Sequence, residues 1–377
     1  MPEFERPDVV RRAVALAAMG AAAAISARAF FRSGSSTDQR KLVDWDAVRR
    51  VAIQRSGERE GAPSLKDAAR LSAEYDEIAH ELAPLLAEVC GAIPTDYPRF
   101  VALDRRGFID ANLIIVRRLL DPVEQLRANL PDSRATQAMR RLTDRYVGEL
   151  FGLMARRVLG QYDPVLMLGP MAEGTSDAPS LYLVEPNIAA FQRDHKLPGK
   201  ALRRWLILHE LTHAWQFQSH SWLGEYITSQ MREMLLSGIA AADGSALHNR
   251  EMLQRLPDTV RAQLRGVSRL QAVMSVLEGY SNFVMHSVGR HHIKDADKLE
   301  EAAHRRRSQR TMLERLVLMV TGLEMKMRQY EIGERFAKRV TERAGLDTLN
   351  RVWEGPETLP TMDELRRPDR WLARIKR

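Results

Sequence analysis

The stretch Trp205–Phe217 constrains the fold of this chain most, because it places His209, Glu210 and His213 on a run without proline or glycine. Residues four apart on a helix lie on one face. His209 and His213 can therefore offer two imidazole nitrogens to one Zn²⁺ ion, in the H-E-x-x-H arrangement. Glu210 lies about 100° around the helix from His209, where its carboxylate can accept a proton from a water molecule at the metal. An ordinary amphipathic helix with two hydrogen-bonded histidines is the alternative interpretation of so short a motif.

A tetrahedral zinc site needs a third protein ligand, and Glu278 is the strongest candidate. It lies within Ala272–Met285, a stretch that is apolar on nearly every face of a helix and is predicted to be buried. A carboxylate there is unfavourable unless it pairs with a cation or binds a metal. Gly279 beside it would let another backbone approach closely. The alternative role for Glu278 is a buried ion pair with Arg269 or Arg232.

Histidines elsewhere in the chain offer other ways to complete the site. His286 follows Glu278 by about two turns and shares much of its helix face. The extended zincin motif places a third histidine about six residues after the second, and Ser219 occupies that position here. We therefore favour a glutamate as the third ligand. Other histidines are predicted to be solvated or to lie beyond the helix end: His220, His248, His291 and His292.

Composition narrows the classes of site and of partner. Of 377 residues, 45% are hydrophobic, and Cys90 is the only cysteine. A zinc site within one such chain must use histidine and carboxylate ligands, and a single cysteine suits a reducing compartment, so we expect a cytoplasmic protein. The net charge of +8 is dispersed among acidic residues. Even the densest basic run, residues 305–310, is predicted to be a solvated helix face or an internal salt-bridge set, so we expect no nucleic-acid partner.

Hydrophobic periodicity predicts a mainly α protein of the α+β class, with a small β element before the H-E-x-x-H helix and a surrounding helical bundle. Residues 1–42 are an alanine-rich segment, either signal-like or a helix that packs on the protein or contacts a membrane surface. We expect residues 43–159 to form an N-terminal helical bundle. Residues 160–377 are predicted to form the catalytic region around the H-E-x-x-H helix, with C-terminal helices, and the family resemblance given below implies that this region is zincin-like.

Local signals place individual elements. Ser64 is a predicted cap for one long helix that ends at Cys90, and residues 100–120 continue the helical pattern. Val165–Leu168 and Leu181–Val184 are predicted strands of a hairpin or small sheet, with Pro186 marking an edge or a bulge. An exposed strand edge beside the H-E-x-x-H helix could hold an extended peptide, or a loop could simply cover that edge. The C-terminal tail is predicted to be anchored by Trp353 and Trp371.

Several stretches form a pattern far more specific than H-E-x-x-H alone: Val43–Trp45, Val158–Asp163, Val184–Ile188, Trp205–Phe217, Glu278–Tyr280, Gly322–Tyr330, Gly333–Phe336 and Leu349–Trp353. Together they resemble the Zincin_2 family of actinobacterial zinc metalloproteases, described as associated with coenzyme F420 biosynthesis. The likeness covers residues 43–377. It implies a mostly helical zincin-type fold with a metallopeptidase-like site, but no particular substrate, and nothing in the sequence indicates a deazaflavin pocket.

The polar run Glu324–Tyr330 has two interpretations. Arg328 or Tyr330 could lie near the metal and donate to the oxyanion of a tetrahedral intermediate. We favour the alternative, a buried hydrogen-bond and salt-bridge network that joins the bundle to the H-E-x-x-H helix.

These observations predict a zinc-dependent metallopeptidase that acts on a peptide or protein substrate. His209, His213 and Glu278 would bind Zn²⁺, and Glu210 would act as the general base. A non-catalytic scaffold or interaction protein stabilised by zinc is the first alternative, although such a protein gains nothing from a base beside an open coordination position. A nucleic-acid or membrane-surface binder that uses the basic charge is the second.

Overall fold

The computed structural model describes residues 43–57, 61–91, 99–126, 134–162, 180–242, 250–308 and 323–376. The alanine-rich segment 1–42 and the predicted strand Val165–Leu168 lie outside these residues. The helices of the described ranges are α1 (Trp45–Ser56), α2 (Leu65–Cys90), α3 (Arg105–Leu126), α4 (Arg134–Ala155), α5 (Glu185–Asp194), α6 (Gly199–Gln218), α7 (Ser221–Ala242), α8 (Arg250–His292), α9 (Ala296–Ser308), α10 (Leu323–Ala344), α11 (Leu346–Asn350), α12 (Met362–Arg366) and α13 (Pro368–Ile375). The strands there are β1 (Arg99–Leu103), β2 (Gly160–Tyr162) and β3 (Ser180–Val184). The predicted mainly α fold with a small sheet is confirmed.

Helix α2 has the bounds that its sequence predicts. The Ser64 side chain caps it by accepting a hydrogen bond from the backbone N–H of Asp67 at 3.1 Å. Its buried stripe includes Tyr75, Leu82 and Leu86, and packs against β1 and α6. Helix α2 therefore supports the H-E-x-x-H helix from one side.

Strand β1 corrects the prediction that the chain is helical from Phe100. Phe100 and Ala102 are buried in alternation with more exposed neighbours, which is the period of a strand. On its outer edge, the Phe100 N–H donates to Asp76 Oδ1 at 2.9 Å, and the Ala102 N–H donates to Ser72 Oγ at 3.0 Å. Helix α2 thus satisfies the backbone donors that an edge strand leaves unpaired.

The three strands have the order β1-β3-β2, with β1 parallel and β2 antiparallel to β3. Strand β3 is therefore central, and the prediction that Pro186 marks an edge or a bulge is wrong. Pro186 instead lies in the first turn of α5, where its missing N–H costs nothing. The described antiparallel partner of β3 is β2, which the sequence did not indicate as a strand.

Helix α8 runs without interruption for 43 residues and crosses α10 in direct backbone contact. A β-carbon on Gly279 would collide with the backbone of Gly333, and one on Gly333 would collide with the carbonyl oxygen of Ser275. Both glycines are needed for the helices to approach this closely.

A large apolar core surrounds α6 and α8, and a smaller one lies between α1, α3 and α4. Trp353 and Trp371 are 2% and 0% exposed, so the two predicted tail anchors are confirmed. The boundary between residues 159 and 160 stays a prediction. Within the described ranges, no helix combines the length and the apolar character that a membrane crossing requires.

Candidate metal centre

Helix α6 carries three side chains that can take part in chemistry, two of which face α8 and one of which faces β2. It starts after Pro198 and ends at Gln218, and it is buried over most of its surface. His209 and His213 face α8, with side-chain exposures of 19% and 12%. Glu210 is 4% exposed and lies against β2.

The structure brings the three predicted ligands together. Nε2 of His209 is 3.2 Å from Nε2 of His213, and each of these nitrogens is 3.7 Å from Oε2 of Glu278. Zinc–ligand bonds of about 2.1 Å in a tetrahedral arrangement place ligand atoms about 3.4 Å apart. The observed spacings lie close to that value, so the donor set fits a zinc ion with little rearrangement.

Neighbouring groups orient both imidazoles. Nδ1 of His213 is 2.8 Å from Oε1 of Gln216, whose Nε2 donates to the carbonyl oxygen of Leu277 at 3.0 Å. Because Gln216 Oε1 accepts, Nδ1 of His213 carries the proton and Nε2 presents its lone pair. Nδ1 of His209 lies 3.0 Å from the sulfur of Met285. Gln216 and Met285 therefore aim the rings at the point where the donors converge.

Electrostatics at this point favour positive charge. Burial is the largest influence on the pKa of His213 and lowers it, but the hydrogen bond and the charge of Glu278, helped by Glu210 and Gln216, raise the pKa above its ordinary value of 6.5. The negative charges of Glu278 and Glu210 would also favour a metal cation, which would compete with a proton for Nε2 of His213.

Glu210 and Gly160 are packed in direct contact. A β-carbon on Gly160 would come within 2.5 Å of Oε1 of Glu210. The N–H of Val184 donates to the carbonyl oxygen of Leu159 at 2.8 Å, and Gly160 is paired with Leu183. Hydrogen-bonded and non-hydrogen-bonded pairs alternate in an antiparallel ladder. The backbone N–H and C=O of Gly160 therefore point away from β3, toward the outer edge of β2.

The other histidines considered from the sequence lie apart from this centre or outside the described residues. His286 faces Glu300, with Nδ1 and Oε1 3.2 Å apart. His220 lies beyond the end of α6, and its Nδ1 is 2.9 Å from the carbonyl oxygen of Gln216. His291 and His292 are exposed. His248 and the side chains of Arg328 and Tyr330 lie outside the described part of the molecule.

Sequence reasoning missed Gln216, Met285 and Gly160. Gln216 had a usable signal, because a glutamine on the apolar end of a helix and one turn after a ligand histidine is a natural partner for its ring. Met285 and Gly160 had none, since their roles depend on how α8 and β2 pack against α6.

A mostly helical fold in which an H-E-x-x-H helix meets a glutamate from a second helix defines a zincin-like class of protein. The chain belongs to the zincin-like metallopeptidase family Zincin_2, whose sequence pattern matches residues 43–372. It is similar to a protein from Chloroflexus aurantiacus described as a candidate hydrolase with a novel fold, with 32% identity and a TM-score of 0.67. That similarity covers 89% of this chain and 99% of the other. No curated protein matches the chain.

Proposed function

We propose that this protein is a zinc-dependent peptidase in which His209, His213 and Glu278 hold the metal and Glu210 is the general base. The observation that carries the proposal is the spacing of the three donor atoms, 3.2 to 3.7 Å, beside a buried carboxylate on the same helix. When bound, zinc would polarise a substrate carbonyl and make a nearby water molecule more acidic. Membership of the metallopeptidase family supports the same reaction class.

Glu210 would move the proton. Its side chain is one residue beyond His209, so its carboxylate lies beside the donor set without joining it. From there it accepts a proton from the attacking water and passes it to the leaving amine. Its burial, at 4% exposure, keeps the carboxylate in a fixed place against Gly160.

The outer edge of β2 is the proposed place for an extended peptide. The backbone groups of Gly160 point outward there, and among the described strands β2 pairs with β3 alone. A peptide that adds to this edge would form backbone hydrogen bonds next to Glu210. Because α2 covers the outer edge of β1, β2 is the edge of the described sheet that is placed for this role.

An actinobacterial origin and a role in coenzyme F420 biosynthesis are not part of the proposal, because they come from the family resemblance and no residue of the site argues for them. A cytoplasmic location is still expected from the single cysteine. Contact of residues 1–42 with a membrane surface stays a prediction.

Metal analysis combined with cleavage of casein and of a peptide library tests the proposal. The wild type is expected to bind zinc and to cleave, and Glu210→Gln is expected to retain zinc but lose at least about 10²-fold in rate. Glu301→Gln, which changes an exposed glutamate on α9, is the matched control and should cleave normally. Stoichiometric zinc without Glu210-dependent cleavage of any substrate would instead favour the zinc-stabilised scaffold.

A further inference from the structure

Three helices bring a second set of donor atoms together, away from α6. His286 comes from α8, Glu300 from α9 and Glu334 from α10, and one donor atom of each lies within 4.8 Å of the others. All three residues are half-buried. We propose that this cluster is a second divalent-cation site, separate from the H-E-x-x-H centre.

The spacing within the cluster suits a metal ion. Nδ1 of His286 and Oε1 of Glu300 are 3.2 Å apart, near the separation of about 3.4 Å between ligands of a tetrahedral ion. The other pairs of donor atoms lie at most 4.8 Å apart. Rotation about the side-chain bonds of a glutamate can bring such a pair to about 3.4 Å. No movement of a helix is needed to close the donors around an ion.

The second site would hold an ion of its own. His286 follows Glu278 on α8 by about two turns, or roughly 12 Å along the helix axis. The ions of a shared two-metal centre lie about 3.5–4 Å apart. The two clusters therefore cannot form one dinuclear centre, although they lie on the same helix.

Packing holds the three donors in place. Glu334 follows Gly333, the residue whose backbone meets α8 at Gly279, so its position relative to α8 is set by the helix crossing. On the other side, Leu299 precedes Glu300 and is 0% exposed. Burial of Leu299 anchors α9 in the core. Ligands supported by rigid elements bind an ion with little loss of conformational entropy.

Charge and donor chemistry indicate which ion the site would take. The Arg290 guanidinium lies 3.1 Å from Asp297 and 3.8 Å from Glu300, so it divides its charge between two carboxylates. The two carboxylates of the cluster would also attract a dication placed between them. An imidazole with two carboxylates suits Zn²⁺ or Mn²⁺, whereas Ca²⁺ and Mg²⁺ prefer an all-oxygen set.

The two glutamates of the cluster can be reached from the molecular surface. Glu300 and Glu334 line a cavity of roughly 1230 Å³ that also borders Arg290 and His292. An ion bound there would join α9 and α10 to α8, the helix that carries Glu278. The expected role is therefore to stabilise the support of the first centre, and this role does not require the protein to be a peptidase.

Zinc titration of the metal-free full-length protein against a chromophoric chelator tests the site. The wild type should bind two equivalents, and Glu278→Gln and His286→Ala should each bind one. In the Glu278→Gln background, zinc should still raise the melting temperature, and adding His286→Ala should abolish that rise. Ca²⁺ should not displace the second equivalent.

Two further variants make the result decisive. Glu300→Gln removes a charged ligand with almost no change of shape and should also bind one equivalent fewer than the wild type. It therefore tests the same site even if His286→Ala fails to fold. His292→Ala removes an exposed histidine that borders the same cavity and should keep two equivalents. The proposal is overturned if Glu278→Gln binds no zinc, if Glu300→Gln binds as many equivalents as the wild type, or if His292→Ala is the variant that loses one. None of these outcomes depends on cleavage by Glu210.

Discussion

Gly160 on strand β2 and Glu210 on helix α6 lie in such close contact that a β-carbon on the glycine would come within 2.5 Å of the carboxylate oxygen Oε1. This position of β2 therefore has room for glycine alone, because any side chain there would push Glu210, the proposed base, out of place.

Gly160→Ala should lower the rate of peptide cleavage by about 10²-fold, because a displacement of about 1 Å at a reacting group can cost that much. Zinc content should be unchanged, since Gly160 does not contact the three proposed ligands. Initial rates and metal analysis of the same samples measure both quantities. Gly266→Ala, where a β-carbon meets no atom of the described residues within 4 Å, is the control and should cleave like the wild type. Equal rates for both variants would contradict a positional role for Gly160.

Met285→Leu should weaken zinc binding at the first centre by about tenfold, because groups that orient a ligand histidine contribute 10–100-fold to metal affinity. The substitution removes the sulfur that lies 3.0 Å from Nδ1 of His209 and conserves volume. Met285→Gln supplies a stronger acceptor and should restore the affinity. Competition titration gives the affinities, and Met274→Leu on the same helix is the control. An unchanged affinity in Met285→Leu would mean that the sulfur does not orient the ring.

Gly279→Ala should destabilise the protein by about 3 kcal/mol or more, because the new methyl group would meet the backbone of Gly333, which cannot rotate away. For Gly289→Ala on the same helix, the nearest contact among the described residues is Ile293 Cδ1, at 3.9 Å. That control should be neutral or stabilising by up to about 1 kcal/mol, since alanine favours a helix. Urea unfolding of the metal-free proteins compares them. Similar midpoints for the two variants would show that α8 and α10 can separate at little cost.

Ionisation of Glu364 should make the free energy of unfolding depend on pH in the acidic range. Burial is the largest influence and raises the pKa of Glu364, but hydrogen bonds from Arg374 and Thr361 outweigh it, so the pKa falls below its ordinary value of 4.5. A carboxyl group whose pKa is lower in the folded state stabilises that state at pH values above its pKa in the unfolded chain. This contribution disappears as the pH falls through the pKa of the folded state. Glu364→Gln should therefore cost about 1–2 kcal/mol near pH 7.

The cost of Glu364→Gln should shrink below about pH 4, where both states become protonated. Unfolding curves across pH 3 to 7 measure it. Asp363→Asn, beside it on α12 but half exposed and paired with the surface residues Arg367 and Arg370, is the control and should lose less than about 1 kcal/mol. A constant cost of Glu364→Gln across that range would exclude the carboxylate charge as its source.

Elements with local signals could be predicted from the sequence. Helix α2 has a capping serine and a continuous apolar stripe, and α6 carries the H-E-x-x-H motif, so both followed from neighbouring residues alone. Strand β1 did not, because its pairing partner β3 is far along the chain. Phe100–Leu103 also precedes α3 directly, and the apolar residues of the strand extend the pattern of the helix.

The candidate centre also has a part that the sequence predicts and a part that it does not. Its proposed ligands could be chosen from residue type, spacing and the cost of burying Glu278. The contacts that orient them could not, because Met285 and Gly160 reach α6 through packing between separate elements. The cluster of His286, Glu300 and Glu334 escaped for the same reason, since no short motif links three helices.

The buried Trp353 packs against the helices that carry the proposed ligands, and this contact bears on the order in which the molecule assembles. The Trp222 indole donates to the carbonyl oxygen of Trp353 at 3.0 Å, and the Trp353 ring packs edge-on against Trp215 and Tyr280. Trp215 and Tyr280 lie on the two helices that carry the proposed ligands. During synthesis on the ribosome, those helices emerge before Trp353 does. A nascent chain would therefore lack this support until residue 353 has emerged, so the two helices that carry the proposed ligands must first pack without it.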